Sequence, residues 1–443
     1  MKFATLIASL ISTASLVSFN SHALSLKESF ALAQQSDPEI QTARADYDAS
    51  VENIPQARSA LLPNLKLDVF SGNNDQVTTD ASGAGLYPTN DENTDSQGYR
   101  LTLSQSLYNH QFYKQLDQAK ASVAQAAAFY SAQQQNLLVR VADSYFKVLA
   151  AEDNLRFAIA EKKAVSRQLQ QTKKRFEVGL IAITDVKEAQ AQYDITVAQE
   201  IAASNQLATS KEALQVIINQ DINGLSVIPA DIPLEVPAPN DIQQWTETAQ
   251  TQNLAIKASA YALKAAQAGV NASQSGHYPN LSLQATQSNI NYDNGADGSD
   301  IEDTTISVNL SIPLYSGGLT SSQSRQANFQ LTRAQSDLEL QKRRTRQQTR
   351  SAFLGLKAAI ASVKALKQAL ISTQTAVEAT KAGFEVGTRT SVDVLNALRN
   401  QYRAERDYAQ SRYDYLLNTL KLKQAAGTLN NKDIDTISQW FGD

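Results

Sequence analysis

Two stretches of the chain share one pattern of glycine and charged residues. They read RFEVGLIAITDV at residues 175–186 and GFEVGTRTSVDV at residues 383–394. Both contain Phe-Glu-Val-Gly followed at the same offset by Asp-Val, and only the second has an arginine, Arg389, between the glycine and the aspartate. The repeat raises two questions: why one chain contains the same turn twice, and why only the second copy has an arginine.

The rest of the chain shows no pattern of a catalytic or metal site. His22, His110 and His277 lack ligand spacing, and neither a phosphate-binding loop nor a nucleophile motif is present. Cysteine is absent, which excludes disulfides, thiolate zinc sites and a lipid-modified cysteine anchor. A net charge of −4 is too mild for nucleic-acid binding, and the basic run at residues 342–350 is typical of a solvated helix face. We therefore expect no enzyme, no cofactor, no metal site and no nucleic-acid partner.

Residues 1–23 have the pattern of a secretory signal peptide. One lysine precedes an apolar, small-residue run, and Ser21-His22-Ala23 predicts cleavage after Ala23. An N-terminal membrane anchor is the alternative, but the run from Phe3 to Phe19 is short and rich in Ser, Thr and Ala. No later run of about twenty apolar residues occurs. The mature protein is thus predicted either to be soluble in the periplasm or to span the outer membrane as strands.

The remaining chain consists of two similar halves, which we place at residues 24–220 and 241–430. Each half begins with a helical segment, turns at a Pro-Asn dipeptide into a strand, and reaches a second strand that ends in Leu-Tyr. A very long helix, one of the two repeated turns and another helix follow. Residues 221–240 hold four of the chain's ten prolines and are predicted to be a linker, and residues 431–443 form a C-terminal tail. Such self-similarity sets the architecture.

Four segments alternate between apolar and polar residues with the period of two that a sheet requires. Leu65, Leu67 and Val69 alternate with Lys66 and Asp68, and the pattern recurs at residues 99–107, 281–284 and 306–312. Each segment is about ten residues long, the length that crosses a bilayer at a tilt. A half-buried sheet in a soluble domain fits the alternation equally well. The loops at residues 72–98 and 291–304 each hold five acidic and no basic residues and are expected to be exposed.

Two long helical segments favour the membrane interpretation. Residues 111–174 contain neither proline nor glycine, and residues 319–382 contain only Gly355. Roughly sixty residues of helix span about 95 Å, several times the diameter of an ordinary domain. Heptad-spaced apolar residues, such as Val141, Tyr145, Val148, Leu155 and Ile159, predict coiled-coil packing rather than a globular core.

A sheet of four strands cannot close into a barrel by itself. Open edges in lipid leave unpaired backbone groups that cost several kcal/mol each. If the strands lie in a membrane, several chains must share one barrel, and three chains give twelve strands. The predicted fold is therefore mainly α with a β-barrel part: a trimeric twelve-stranded outer-membrane β-barrel, continued by a long periplasmic α-helical barrel built from two repeats.

The two-half layout, the turns FEVGLIAITDV and VGTRTSVDVLNA, and the tail RYDYLLNTLKLKQAAGTLN resemble the TolC family of outer-membrane efflux proteins. The resemblance covers essentially the whole mature chain. It implies a homotrimer in the outer membrane that acts as a passive exit duct for tripartite multidrug efflux pumps and for type I protein secretion. It also implies a periplasmic adaptor (membrane fusion) protein and an inner-membrane pump of the RND or ABC type as partners.

The resemblance assigns roles to residues in both turns. In the family these turns are the tips of helical hairpins at the periplasmic entrance, where Gly179 and Gly387 match glycines that dock the adaptor. Glycine allows the chain to reverse tightly and a partner backbone to approach. Arg389 matches an arginine that ties one hairpin to the other, and Thr184 and Asp185 match its partners.

Asp393 matches an aspartate that rings the entrance constriction. Three carboxylates close together on the axis of a trimer attract cations and repel one another. Two positions depart from the family pattern. Asn396 stands where a second aspartate is expected, which predicts three charges rather than six, and Phe384 stands where a tyrosine is expected. The hydroxyl link from that tyrosine to Asp185 is then missing, so a weaker latch is predicted.

Two other classes of protein remain as alternatives. A trimeric surface adhesin also builds a shared barrel from four strands per chain, but it places all four at its C-terminus. Here the two predicted strand pairs are separated by some two hundred residues. A periplasmic coiled-coil scaffold is the second alternative, and membrane fractionation distinguishes it from an outer-membrane trimer.

Overall fold

The computed structural model describes residues 23–78, 90–229, 231–293 and 298–440. All of the predicted signal peptide except Ala23 lies outside these residues, as do parts of both acidic loops. The helices are α1 (Leu26–Ser36), α2 (Pro38–Val51), α3 (Asn53–Ser59), α4 (His110–Glu177), α5 (Ile183–Ile218), α6 (Ile242–Gln252), α7 (Leu254–Gln274), α8 (Leu319–Glu385), α9 (Ser391–Ala426) and α10 (Asn431–Ser438). The strands are β1 (Asn64–Thr78), β2 (Asn90–Tyr108), β3 (Asn280–Asp293) and β4 (Ser299–Ser311).

The order of these elements confirms the two-repeat architecture. In each half, short helices precede two strands, a very long helix, a tight turn and a helix of medium length. The long helices α4 and α8 have 68 and 67 residues, and their partners α5 and α9 have 36 residues each. At 1.5 Å per residue, α4 and α8 are each about 100 Å long. Within the described ranges, no helix is both long and apolar enough to cross a membrane.

The four strands form one antiparallel sheet in the order β1-β2-β3-β4. Pairing of β2 with β3 joins the two halves of the chain, with Arg100 opposite Ser288. The strands run 13 to 19 residues, so the predicted length of about ten was too short. The prediction followed only the apolar alternation, whereas backbone pairing continues beyond it, as at Asn73 opposite Asp95.

One face of the sheet is apolar and open in the single chain. Leu65, Val69 and Ile306 are 65%, 76% and 73% exposed. On the opposite face Lys66 forms an ion pair with Asp68 at 2.6 Å. An apolar surface of this extent on a single subunit requires a nonpolar environment, and lipid provides it.

A packed apolar core surrounds the middle of α4 and the C-terminal half of α9. It includes Leu137, Val141, Tyr145, Val148, Leu356, Ile360, Leu416 and Leu420. The expectation of coiled-coil packing without a globular core was therefore wrong for this part of the molecule. Segment 221–240 and the short helices α1 and α10 pack onto the long helices here, and the Tyr145 hydroxyl hydrogen-bonds the Leu24 and Ser226 carbonyls at 3.0 Å each. Ile159, nearer the turn, is 44% exposed.

Candidate functional site at the hairpin tips

The first tip is the turn between α4 and α5, which together form the first hairpin. Gly179 adopts a left-handed backbone with φ of 76°. Its amide donates to the Phe176 carbonyl at 2.9 Å, and the Leu180 amide donates to the Arg175 carbonyl at 2.9 Å. These bonds satisfy carbonyls that the end of α4 would otherwise leave unpaired. Because left-handed conformations are costly for residues with a Cβ, the turn requires glycine.

The second tip is the turn between α8 and α9, which form the second hairpin. Gly387 has φ of 83°, and the Thr388 amide donates to the Gly383 carbonyl at 2.8 Å. A Cβ added to Gly387 or to Gly179 would meet no atom within 4 Å. The space outside both tip glycines is thus open in the single chain.

Asp393 has a structural role in the second tip. Its Oδ2 accepts hydrogen bonds from the Thr390 amide and the Thr390 hydroxyl, both at 2.9 Å, and these close a capping box at the start of α9. These two bonds, helped by nearby Arg389, hold the pKa of the Asp393 carboxyl below its usual range. Asn396 lies almost one turn further along α9 and is exposed. The two positions therefore share one side of α9 near its start.

The predicted latch residues are not brought together inside one chain. Arg389 and Thr184 are exposed, and Asp185 is half-buried in the first turn of α5. Among the described residues of the single chain, no hydrogen bond or ion pair joins Arg389 to Thr184 or Asp185. Arg389 instead lies against Gly383, where an added Cβ would meet the Arg389 Cγ at 2.7 Å.

Arg175 of the first hairpin contacts the second hairpin within the chain. Its guanidinium lies 4.1 Å from the centre of the Phe384 ring, and Nη1 donates to the Phe384 carbonyl at 3.0 Å. Phe384, where the resemblance predicts a tyrosine, is only 3% exposed. Sequence reasoning missed Arg175. The available signal was the residue before Phe-Glu-Val-Gly, which is arginine in the first stretch and Gly383 in the second.

A second polar contact between the hairpins lies about one helical turn from Arg175 along α4. The hydroxyls of Thr172 and Ser391 are 2.7 Å apart, and the side-chain amide of Gln168 donates to the Ser391 hydroxyl at 3.3 Å. All three side chains are buried. Buried hydroxyls that pair with each other avoid the desolvation cost of unpaired polar groups, so this contact fixes how the two hairpins align.

Across the part of the chain that the structure describes, no group of three or more His, Asp or Glu side chains could hold a metal ion. The tips instead offer two glycine turns with open space outside them, exposed apolar side chains beside them and a small set of charged groups. These features suit docking and reversible closure.

A lipid-facing sheet joined to helices about 100 Å long, with paired turns at the far end, defines a subunit of an outer-membrane channel that extends into the periplasm. The model of the family described as "Outer membrane efflux protein" matches residues 30–220 and 245–428. The chain belongs to this family.

The chain is similar over most of its length to proteins named "Outer membrane protein TolC". It is 40% identical over 414 residues to that of Vibrio cholerae, covering 92% of each chain. It is 35% identical over 426 residues to that of Escherichia coli, covering 94% of this chain and 84% of the relative. The protein is therefore an outer-membrane channel of the efflux and secretion class, and the comparisons give no support to a surface adhesin.

Solved structures share the fold at low sequence identity. The Campylobacter jejuni CmeC outer membrane channel gives a TM-score of 0.77 at 16% identity, covering 94% of this chain and 90% of that chain. The outer membrane protein VceC of Vibrio cholerae gives 0.76 at 17% identity, covering 91% and 96%. These likenesses confirm the predicted fold of a barrel continued by a helical tunnel.

Proposed function

We propose that the protein is the passive, non-enzymatic exit duct of tripartite multidrug efflux pumps and of type I protein secretion. The observation that carries the proposal is the continuity of a lipid-facing sheet with helices about 100 Å long that end in two open glycine turns. Relatives named for protein secretion and relatives named for efflux are both similar to the chain. The alkaline protease secretion protein AprF of Pseudomonas aeruginosa is 27% identical over 422 residues, and the outer membrane efflux protein BepC of Brucella suis is 27% identical over 404 residues.

The duct is a homotrimer. β1 and β4 are edge strands, since each has one neighbour in the sheet of a single chain. Edges in lipid leave backbone groups unpaired at several kcal/mol each, so β4 of one chain pairs with β1 of the next. Three chains then close twelve strands, and residues 24–220 and 241–430 supply equivalent halves of the wall. The 221–240 linker and the 431–443 tail lie outside these two units.

The periplasmic adaptor protein docks at the tips, and an inner-membrane pump of the RND or ABC type supplies the energy. Gly179 and Gly387 have no side chain, and the space beside each is open, so a partner backbone can approach. Beside them Val178, Leu180 and Val386 are 69%, 71% and 76% exposed. Exposed apolar side chains of this size gain most when a partner covers them.

The entrance is gated by charge at the second tip. Asp393 contributes one carboxylate per chain, and Asn396 contributes none, so three copies hold three charges near the axis. Arg389 is exposed and unpaired with Thr184 and Asp185 of its own chain, which leaves it available to those residues on a neighbouring subunit. Exposed links of this kind are individually weak, which suits a latch that must release.

Conductance of purified trimers in planar lipid bilayers tests the gate. We expect Arg389→Ser to raise single-channel conductance and Asp393→Asn to weaken cation preference and block by multivalent cations. Wild-type conductance in Arg389→Ser rejects the latch, and unchanged selectivity and block in Asp393→Asn reject the gate charge. Recovery of a heat-modifiable trimer from outer membranes excludes the periplasmic scaffold.

A further inference from the structure

A contact that the family resemblance does not assign joins the two hairpins inside each chain. We propose that Arg175 is a positioning residue that fastens the second hairpin to the first and holds the entrance closed from within the chain. This inference rests on the proposed gating function and deepens it. Arg389, by contrast, has no partner among Thr184 and Asp185 of its own chain.

Arg175 makes two different contacts with one residue of the second hairpin. The central carbon of the guanidinium lies over the Phe384 ring, 4.1 Å from the ring centre, and Nη1 donates to the Phe384 carbonyl at 3.0 Å. A cation over an aromatic face is attracted by the ring quadrupole, most strongly where water is excluded. Phe384 is buried and Arg175 is half-buried, so both contacts are partly shielded from water.

The Phe384 carbonyl is an acceptor that needs a donor from outside α8. Phe384 is the penultimate residue of the helix, so no later helical residue of α8 can reach its carbonyl. The Gly387 amide supplies one donor at 3.3 Å, and Arg175 supplies a shorter one at 3.0 Å. A cation at a helix C-terminus also interacts favourably with the helix dipole. Arg175 therefore stabilises the end of α8 while joining it to α4.

Arg175 completes a row of contacts along one side of α4. Gln168, Thr172 and Arg175 follow the spacing i, i+4 and i+7, which places them on one helix face. Gln168 and Thr172 contact Ser391, the first residue of α9, and Arg175 contacts the end of α8. The row thus holds both helices of the second hairpin where they enter the turn. Arg175 lies nearest the tip, so it must release first when the second hairpin swings away.

The acceptors of this row are neutral, which separates it from a latch made of ion pairs. Arg175 contacts a ring and a carbonyl, whereas the predicted partners of Arg389 include the carboxylate of Asp185. Added salt screens exposed ion pairs strongly and shielded contacts with neutral groups weakly. We therefore expect the effect of losing Arg175 to persist from low to high salt.

The test compares Arg175→Ala with Lys174→Ala, a neighbouring exposed position that loses the same charge. Trimers are reconstituted in planar bilayers and single-channel conductance is recorded at low and high salt. We expect a several-fold rise in conductance for Arg175→Ala at both salt concentrations and wild-type conductance for Lys174→Ala. Arg175→Lys keeps the charge and one donor but loses the flat guanidinium, so it should give an intermediate conductance.

Three outcomes overturn the inference: equal conductance of Arg175→Ala and Lys174→Ala, an effect that vanishes at high salt, or full rescue by Arg175→Lys. Heat-modifiable trimer must form in each variant, and Arg175→Lys serves as the measured variant if Arg175→Ala does not assemble. Failure of the broader proposal gives a different result. If Arg389→Ser and Asp393→Asn also behave as wild type, the gating function itself is rejected, whereas a wild-type result for Arg175→Ala alone rejects only this latch.

Discussion

Replacing Arg406 with alanine should loosen α9 from α4, because it leaves a buried carboxylate without its cation. Arg406 Nη1 lies 2.8 Å from Glu161 Oε2, and the two side chains are 26% and 1% exposed. Glu161 Oε1 has no hydrogen-bond partner in the described part of the chain. The pair joins the two hairpins between the apolar core and the tips, since Glu161 lies on α4 and Arg406 on α9.

The magnitude follows from the burial of the two partners. Removing one member of a buried ion pair costs about 3–5 kcal/mol, because the remaining charge stays in a medium that solvates it poorly. Partial exposure of the Arg406 site lets some water reach Glu161 once the arginine is gone, which favours the lower end, about 3 kcal/mol. Each 1.4 kcal/mol is a factor of ten, so local opening between α4 and α9 should become about a hundred times more frequent.

Hydrogen exchange of the intact trimer, followed by mass spectrometry of peptides from α9, measures this opening. Arg406→Ala should lower protection about a hundredfold near that position, by the same conversion. Arg403→Ala removes an exposed arginine one turn away and serves as the matched control. Replacing Glu161 and Arg406 together with methionine should restore protection, because no charge is then left buried. Equal exchange in Arg406→Ala and Arg403→Ala would refute the argument, as would a double variant that exchanges as fast as the single one.

Two further outcomes are expected. Gly98→Ala should prevent assembly of the trimer in outer membranes, because the new Cβ would clash with the backbone carbonyl oxygen of Asn289 on β3. Gly72→Ala, whose nearest neighbour would be the Ser96 hydroxyl at 3.8 Å, should assemble normally, and heat-modifiable trimer on gels distinguishes the two. The pKa of Asp393 is lowered mainly by the Thr390 amide and hydroxyl, so its charge persists as pH falls through the usual aspartate value of about 3.9. Block by multivalent cations should therefore survive to about that pH and be lost only below it. Loss of block at higher pH would show that repulsion among three copies of Asp393 outweighs these bonds.

The positions of the two turns were predicted correctly because their residues carry local signals. A left-handed turn needs glycine, so the repeated Phe-Glu-Val-Gly located both Gly179 and Gly387 at the observed turns. Arg175 was missed because its hydrogen-bond partner is a backbone carbonyl, which every residue possesses and no sequence pattern marks. The prediction of a weaker latch rested on the hydroxyl that Phe384 lacks. It did not consider that the Phe384 ring itself could contact Arg175.

The core around the middle of α4 could not be predicted because it depends on distant pairs. Leu24 forms a parallel bridge with Leu225, two hundred residues later, and Tyr145 hydrogen-bonds the chain on both sides of that bridge. Heptad spacing describes how a helix can pack but does not show what will cover it. The proline-rich segment was interpreted as a linker from its composition, and composition does not reveal that Ile222 and Ile228 become buried.

The contacts between the hairpins weaken in a graded way from the core toward the tips. The Tyr413 hydroxyl donates to Asp153 at 2.8 Å within the large apolar core. The Glu161–Arg406 ion pair lies between that core and the tips. Nearer the turns, the apolar clusters contain only four buried residues each, so little nonpolar area is lost on separation there. The free energy of separating the hairpins therefore rises with distance from the tip. An adaptor that binds at the turns acts where separation of the hairpins costs least. The apolar core around the middle of α4 limits how far along the helices the hairpins can separate.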